Sequence, residues 1–175
     1  MNLYTKESGS GQPMVLLHGN GEDSSYFVNQ ISFFESKYLV IAVDTRGHGR
    51  SPRGCGTFTL ERFADDLKGF LDRRGLRRII LLGFSDGGNI ALIFALKYPG
   101  YVDRLILNGA NLNPFGMKRP CWRMWRGSMW ELWGSSGCRK AASQIRGKCR
   151  WQQEKCGQKS NFQKKTKTEW TGRTE

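Results

Sequence analysis

The chain carries, at residues 79–88, the sequence Ile79-Ile80-Leu81-Leu82-Gly83-Phe84-Ser85-Asp86-Gly87-Gly88. Four aliphatic residues lead into a Gly-x-Ser-x-Gly motif, and residues 89–96 are helix formers with an apolar face. A buried strand, a sharp turn and a helix form the context that a nucleophile elbow requires. In such a turn the Ser85 hydroxyl points away from the sheet, and close packing of strand and helix explains Gly83 and Gly87. An incidental serine in an ordinary strand-to-helix turn is the alternative, and the flanking segments favour the elbow.

Short apolar runs alternate with helical patterns along the first two thirds of the chain. Strands are predicted at Leu3–Thr5, Met14–Leu17, Tyr38–Val43, Arg78–Phe84 and Val102–Leu107. Helices are predicted over residues 24–36, 59–75 and 86–98, the second capped by Thr59 and ended by Gly75. This alternation predicts an α/β fold, a doubly wound and mostly parallel sheet covered on both faces. Ligands of such sheets bind beyond the carboxyl ends of the strands, where His18, Asp44 and Ser85 lie.

Three motifs together resemble those of the α/β-hydrolase family. They are Leu17–Gly21, which ends in His-Gly-Asn-Gly, Asp44–Ser51, which contains Arg-Gly-His-Gly-Arg-Ser, and the elbow, Gly83–Gly88. Residues 1–118 are similar to the amino-terminal part of this family. The resemblance therefore implies an α/β-hydrolase fold truncated after about six strands.

The resemblance also implies site residues and a reaction. Ser85 would be the nucleophile of an acyl transfer, and the amides of Asn20 and Asp86 would form the oxyanion hole. The surrounding loops would be shaped by His18, Gly19, Gly21, Asp44, Arg46 and His48. We expect a serine hydrolase of a small-molecule ester or related acyl compound, with no cofactor. A C–C bond hydrolase or a perhydrolase is the alternative among enzymes, whereas a halide-displacing relative would place Asp at position 85.

The triad that the resemblance implies is incomplete. In the family the order along the chain is Ser, then Asp or Glu, then His. No histidine follows Ser85, and the end of the strand at 102–107 offers Asn108 and Asn111 instead of an acid. A serine without a base is a poor nucleophile at neutral pH. We therefore expect an impaired hydrolase, with a pseudo-enzyme or binding module as the alternative.

Composition changes sharply near residue 119. Residues 1–118 carry 14 Lys and Arg against 11 Asp and Glu, whereas residues 119–175 carry 14 against 4. All six Trp lie at or beyond position 122, and the only branched aliphatic residues after Pro120 are Leu132 and Ile145. We expect a partial hydrolase core over residues 1–118, and a disordered or non-native basic segment over 119–175. The last core strand would then expose an apolar edge, which favours aggregation.

Three interpretations of residues 119–175 remain open. The abrupt gain of Trp, Cys, Arg and Gly is what an out-of-frame reading would give. Basic residues among aromatic ones, as in 119–126, could instead bind single-stranded nucleic acid, although no specific nucleic-acid partner is expected. The spacing of Trp122, Trp125, Trp130 and Trp133 could also suit a membrane surface.

The positions of the cysteines and the hydropathy of the chain argue against several other classes of protein. Four of the five Cys lie in the basic segment, which has no C-x-x-C and no His, so no zinc site is predicted. Residues 1–12 lack the apolar centre of a signal peptide, and no apolar run is long enough to span a bilayer. These features predict a cytoplasmic protein.

Overall fold

The order of strands and helices follows the alternation predicted from the sequence. The computed structural model describes residues 1–111. Strands β1 to β5 are Thr5–Ser8, Gln12–Leu17, Tyr38–Val43, Ile79–Phe84 and Val102–Asn108. Helices α1 to α3 are Val28–Phe34, Leu60–Arg73 and Asp86–Lys97, and short 3-10 helices cover Ser24–Phe27 and Pro99–Tyr101. The predicted boundary at 118 and the basic segment lie outside the described residues.

The strands form one mostly parallel sheet with the order β1-β3-β2-β4-β5. Strands β2, β3, β4 and β5 run parallel, and only β1 is antiparallel to its neighbour. Leu17 pairs with both Val43 and Gly83, and Phe84 pairs with Asn108. The carboxyl ends of all four parallel strands therefore lie along one edge of the sheet, which confirms the predicted α/β fold.

Both faces of the sheet are covered, as a doubly wound fold requires. Alternate residues of a strand point to opposite faces. Val15 and Leu17 belong to the larger buried cluster, which includes α2 and α3, whereas Met14 and Leu16 belong to the smaller cluster with Ile31 of α1. Because residues 14–17 of β2 are almost fully buried on both faces of the sheet, this part of the strand is continuously apolar.

Helices α2 and α3 differ in amphipathicity because α3 is buried over more of its surface. In α2 the buried residues Leu60, Ala64, Leu67 and Leu71 follow the spacing of one helical face. The Thr59 hydroxyl caps this helix by accepting the Arg62 N–H at 3.2 Å. Helix α3 packs against the sheet and against α2, and nine consecutive residues, 87–95, are buried. The elbow helix is therefore fixed from all sides.

The amino-terminal hairpin differs from the prediction. Strand β1 begins at Thr5 rather than Leu3, and it extends through Glu7 and Ser8, which the sequence pattern places in a turn. The reason is its pairing with β3, in which Ser8 lies opposite Val40. The turn itself is confined to 9–11, where Gly9 has a φ of 79°, a conformation that favours glycine.

The described residues contain five of the about six strands that were predicted, and β5 lies at the edge of the sheet. Its side chains are less buried than those of β2, and Ile106 is 42% exposed. Aggregation through this edge stays a prediction. Within residues 1–111, no helix combines the length and the hydropathy that a bilayer crossing requires.

Candidate active site

Ser85 has the backbone conformation of a nucleophile elbow. It stands between β4 and α3 with φ 52° and ψ −118°, and it is one of two non-glycine residues with positive φ among residues 1–111. Its amide donates to the Asn108 carbonyl at 2.8 Å, and its carbonyl accepts from Gly88 and Asn89 at 2.9 and 3.1 Å. A conformation of this kind costs on the order of 1–3 kcal/mol and persists only where the surroundings enforce it. Here the end of β5 and the first turn of α3 enforce it.

Close packing explains the glycines on either side of Ser85. A Cβ on Gly83 would lie 2.6 Å from the Gly88 Cα and would overlap the Gly87 carbonyl. A Cβ on Gly87 would lie 2.5 Å from the His18 carbonyl oxygen and would overlap that of Leu17. Since all these atoms belong to the backbone, no side-chain rotation can relieve the overlap. The elbow therefore depends on glycine at both positions.

The loop after β2 reaches the serine. A Cβ on Gly19 would lie 3.3 Å from the Ser85 Cβ and 3.0 Å from Glu22 Oε2, so serine and carboxylate flank the same glycine. The Gly19 amide donates to Glu22 Oε2 at 2.9 Å, which fixes this loop. Among residues 1–111 neither the Asn20 nor the Asp86 amide makes a hydrogen bond. Both of the amides predicted to form the oxyanion hole are therefore free to donate.

Both ring nitrogens of His18 are engaged by the backbone. The ring is 1% exposed, its Nδ1 lies 2.7 Å from the Gly19 carbonyl, and its Nε2 lies 3.0 Å from the Thr45 amide. Because the Thr45 N–H is a donor, Nε2 is the acceptor and Nδ1 carries the proton. Burial, which disfavours the charged ring, holds the pKa of His18 below its usual value. His18 thus joins the loops after β2 and β3 as a neutral ring.

The buried, neutral ring of His18 predicts that the folded chain loses stability as the pH falls. Because the folded pKa of His18 is lowered, the unfolded chain binds a proton more readily, and the free energy of unfolding falls as the pH drops below about 6.5. Urea unfolding between pH 7.5 and 5 should show this loss, and a His18→Asn chain should show a shallower pH dependence. If the free energy of unfolding of the two chains depends equally on pH, His18 is not the group responsible for the loss.

Asp44 and Arg46 organise the loop after β3. Asp44 is 1% exposed, and its carboxylate accepts the Ser24 amide at 2.7 Å and the Arg50 amide at 2.8 Å. The Arg46 guanidinium binds both carboxylate oxygens of Asp66 on α2, at 2.6 and 2.7 Å. These two buried side chains hold the loop against the helices at the sheet edge.

His48 lies on this loop, close to His18. The ring centroids are 5.2 Å apart, and the Thr45 hydroxyl lies between them, 3.2 Å from His18 Nε2 and 3.1 Å from His48 Nδ1. His48 Nδ1 is also 3.0 Å from the Arg46 carbonyl, which requires a donor. Nδ1 therefore carries the proton, and the Thr45 hydroxyl donates towards His18.

A pocket opens between these loops and the start of α3. It is small, with a cavity volume of about 30 Å³, and it is partly open to solvent. Its lining consists of His18, Gly19, Asn20, Thr45, His48, Phe58, Thr59, Leu60, Phe63, Asp86 and Ile90. Ser85 is not part of the lining, but its neighbour Asp86 is. Gly21, on the same loop, has φ 76°, a conformation that favours glycine, and a Cβ there would meet nothing within 4 Å.

Two kinds of group that would extend the chemistry of this site are not found among residues 1–111. No group of His, Cys, Asp or Glu in this part of the chain could hold a metal ion. The end of β5 offers the Asn108 carbonyl to the Ser85 amide, and no carboxylate. The arrangement supplies a poised hydroxyl and two free amides, while the only two histidines of the sequence precede Ser85.

Three residues near the site were not predicted from the sequence. Asn89 is fully buried, its amide nitrogen lies 3.4 Å from Asp86 Oδ1, and its side-chain oxygen accepts the Asn111 amide at 2.8 Å. It thereby joins the elbow helix to the segment after β5. A polar residue in the apolar run 87–95 was the available signal. Glu22 and Asp66 carried no signal beyond their charge.

Comparisons with known proteins place these features in a family context. A family model described as alpha/beta hydrolase fold matches residues 12–135. The chain is 37% identical over 115 residues to a 2-hydroxy-6-oxononadienedioate/2-hydroxy-6-oxononatrienedioate hydrolase of Paraburkholderia phymatum, covering 62% of this chain and 40% of that protein. It is 34% identical over 122 residues to the AB hydrolase superfamily protein YisY of Bacillus subtilis, covering 69% and 45%.

Solved structures of hydrolases are also similar to this chain. A thermophilic esterase from Thermogutta terrifontis superposes with a TM-score of 0.64 at 30% identity, covering 82% of this chain and 52% of that one. The chain thus spans less than half the length of the two curated relatives named above.

Proposed function

Because the chain belongs to the α/β-hydrolase family, we propose that it carries the nucleophile and oxyanion hole of a serine hydrolase acting on a small-molecule ester or related acyl compound. The observation that supports this proposal most is the strained conformation of Ser85 between β4 and α3. Strain of this kind is kept where it serves a function. The proposal includes a cytoplasmic location and the division of the chain at residue 118.

The proposed chemistry is an acyl transfer. Ser85 Oγ attacks the carbonyl carbon of the ester, its proton leaves to a base, and the carbonyl oxygen becomes an oxyanion. When the carbonyl re-forms, the C–O bond to the alcohol breaks and the alcohol takes up that proton. Water then attacks the acyl-serine in the same way, which releases the acid and restores the Ser85 hydroxyl. The free amides of Asn20 and Asp86 donate to that oxyanion, and the amino terminus of α3 adds partial positive charge. Each such donor typically contributes about 3–4 kcal/mol to the transition state. No step requires a cofactor.

We further propose that this chain is impaired, because residues 1–111 supply no base for Ser85 and no histidine follows Ser85 in the sequence. His18 is neutral, but Gly19 and Thr45 engage both of its nitrogens. Triad members typically contribute factors on the order of 10⁴–10⁶ in rate, although an oxyanion hole alone retains part of the catalysis. A pseudo-enzyme that binds small molecules in the pocket is therefore the second candidate. Binding of nucleic acid by residues 119–175 stays a prediction, since those residues lie outside the described part of the chain.

The test is hydrolysis of 4-nitrophenyl acetate by the 175-residue chain, by Ser85→Ala, and by Ser10→Ala as a control for an exposed serine. We expect slow turnover that Ser85→Ala abolishes and Ser10→Ala retains. Added imidazole, which supplies a base, should increase the enzyme-dependent rate only where Ser85 is present. An alkyl fluorophosphonate should modify Ser85, as located by mass spectrometry. Equal rates for the chain and Ser85→Ala, together with absence of that adduct, would refute a catalytic Ser85.

A further inference from the structure

We propose that Asp86 makes the pocket selective for uncharged acyl groups, and that substrates with a carboxylate beside the reacting group are rejected. This inference rests on the proposed function and specifies its substrate class. Asp86 is the residue directly after the nucleophile and contributes to the lining of the pocket. Its carboxyl group is half-buried, and Oδ1 lies 3.4 Å from the side-chain nitrogen of Asn89.

The lining combines apolar and polar residues, of which Asp86 is the one with a carboxyl group. Phe58, Leu60, Phe63 and Ile90 are its apolar members, which suit a compact aliphatic or aromatic group. Phe58 and Phe63 contact each other edge to face, with centroids 5.1 Å apart. Their mutual packing gives this apolar surface a defined shape.

Of the described lining residues, His48 carries the charge that opposes that of Asp86, and it lowers the pKa of Asp86 less than burial raises it. The described lining includes no Lys or Arg, and His18 is neutral. Outside the lining, the Arg46 guanidinium is bound by Asp66, and the Arg53 guanidinium lies over the Phe58 ring, 4.8 Å from its centroid. An anionic ligand would therefore meet the like charge of Asp86 without a lysine or arginine of the described lining to bind it, which is unfavourable in a partly desolvated site.

The ionisation of Asp86 supports the same conclusion. Burial raises the pKa of Asp86, and the Asn89 hydrogen bond and the charge of His48 lower it to a smaller extent. The groups that face it are thus Asn89 on its own helix and His48 on the loop after β3. When protonated, the carboxyl donates a hydrogen bond; when ionised, it repels anions. Discrimination against anions should therefore increase as the pH rises through the pKa of Asp86.

This selectivity would separate the chain from one of its relatives. The Paraburkholderia protein is named for a dienedioate, a substrate with two carboxylates. The Thermogutta protein is named an esterase. The charge distribution in this pocket favours substrates without a carboxylate in the space that Asp86 lines.

The test compares two ligands of nearly equal shape, benzamide and benzoate, by protein-observed NMR titration of the 175-residue chain between pH 5 and 8. We expect benzamide to bind about tenfold more tightly than benzoate at pH 8, with a ratio that falls as the pH approaches the pKa of Asp86. In Asp86→Asn the ratio should fall towards one and lose its pH dependence. Glu7→Gln, which removes an exposed charge on β1, should retain both the affinity ratio and its pH dependence.

Folding is checked on the same samples. Because the folded pKa of Asp86 is raised, its ionisation opposes folding at neutral pH, and Asp86→Asn should have the higher melting temperature at pH 8. Equal affinities of the chain for the two ligands, no binding of either, or an unchanged ratio in Asp86→Asn would overturn the proposal. Because neither ligand reacts with Ser85, this test does not depend on catalysis. If the chain discriminates between benzamide and benzoate but the alkyl fluorophosphonate does not modify Ser85, only the proposed catalysis is refuted.

Discussion

Gly83→Ala is expected to destabilise the chain by about 3 kcal/mol or more, because the added methyl group has no space between β4 and α3. It would lie 2.5 Å from the Gly87 carbonyl carbon and 2.6 Å from the Gly88 Cα. Both atoms belong to the first turn of a helix that is buried over nine consecutive residues. The helix can yield only by moving away from the sheet, which would open the core and release Ser85 from its strained conformation.

The matched control is Gly100→Ala, in the short 3-10 helix after α3. A Cβ at this position would meet nothing within 4 Å, and Gly100 is not among the glycines with positive φ. We expect a change within about 0.5 kcal/mol. Urea unfolding followed by circular dichroism measures both variants. A loss of less than about 1 kcal/mol for Gly83→Ala would show that α3 can shift without cost, contrary to the packing described above.

The tight packing of the elbow could be predicted because it is local. Gly83, Ser85 and Gly87 lie within five residues, and their spacing is itself the geometric requirement of the turn. The bounds of α2 were predictable for the same reason, since Thr59 and Gly75 act on adjacent backbone groups. Features that depend on one to four neighbouring residues leave a pattern in the sequence.

The register of β1 and the contacts around the pocket could not be predicted in this way. Glu7 and Ser8 join a strand only because β3 offers an edge more than 30 residues away along the chain. His18 bonds to Thr45 and Arg46 bonds to Asp66, across 27 and 20 residues. The sequence shows the charges and the polar side chains, but it does not show which of them will meet. The catalytic assignments of Ser85, Asn20 and Asp86 stay predictions until activity is measured.

The ion pair between Arg46 and Asp66 is the second contact whose loss should have a large effect. Its side chains are 4% and 9% exposed, and Arg46 also donates to the carbonyls of Arg53 and Cys55. Asp66→Asn leaves a buried guanidinium without its counter-charge, and removal of one partner from such a pair typically costs about 3–5 kcal/mol. Since Arg46 holds residues 53–55, the loop that brings His48 and Phe58 to the pocket should loosen, and benzamide binding should weaken.

Glu7→Gln provides the comparison, because it breaks the pair with Arg74, whose side chains are 40% and 28% exposed. Exposed pairs contribute about 0–1 kcal/mol and are screened by salt. Urea unfolding in low and high NaCl should therefore show a small, salt-dependent loss of stability for Glu7→Gln and a large, nearly salt-independent loss for Asp66→Asn.

The double variant Arg46→Met with Asp66→Leu should recover only part of the stability that Asp66→Asn loses, because apolar replacement removes the buried charge but leaves two loop carbonyls without a donor. Full recovery would show that the carbonyl contacts contribute nothing, and equal losses for Asp66→Asn and Glu7→Gln would show that burial does not strengthen this pair.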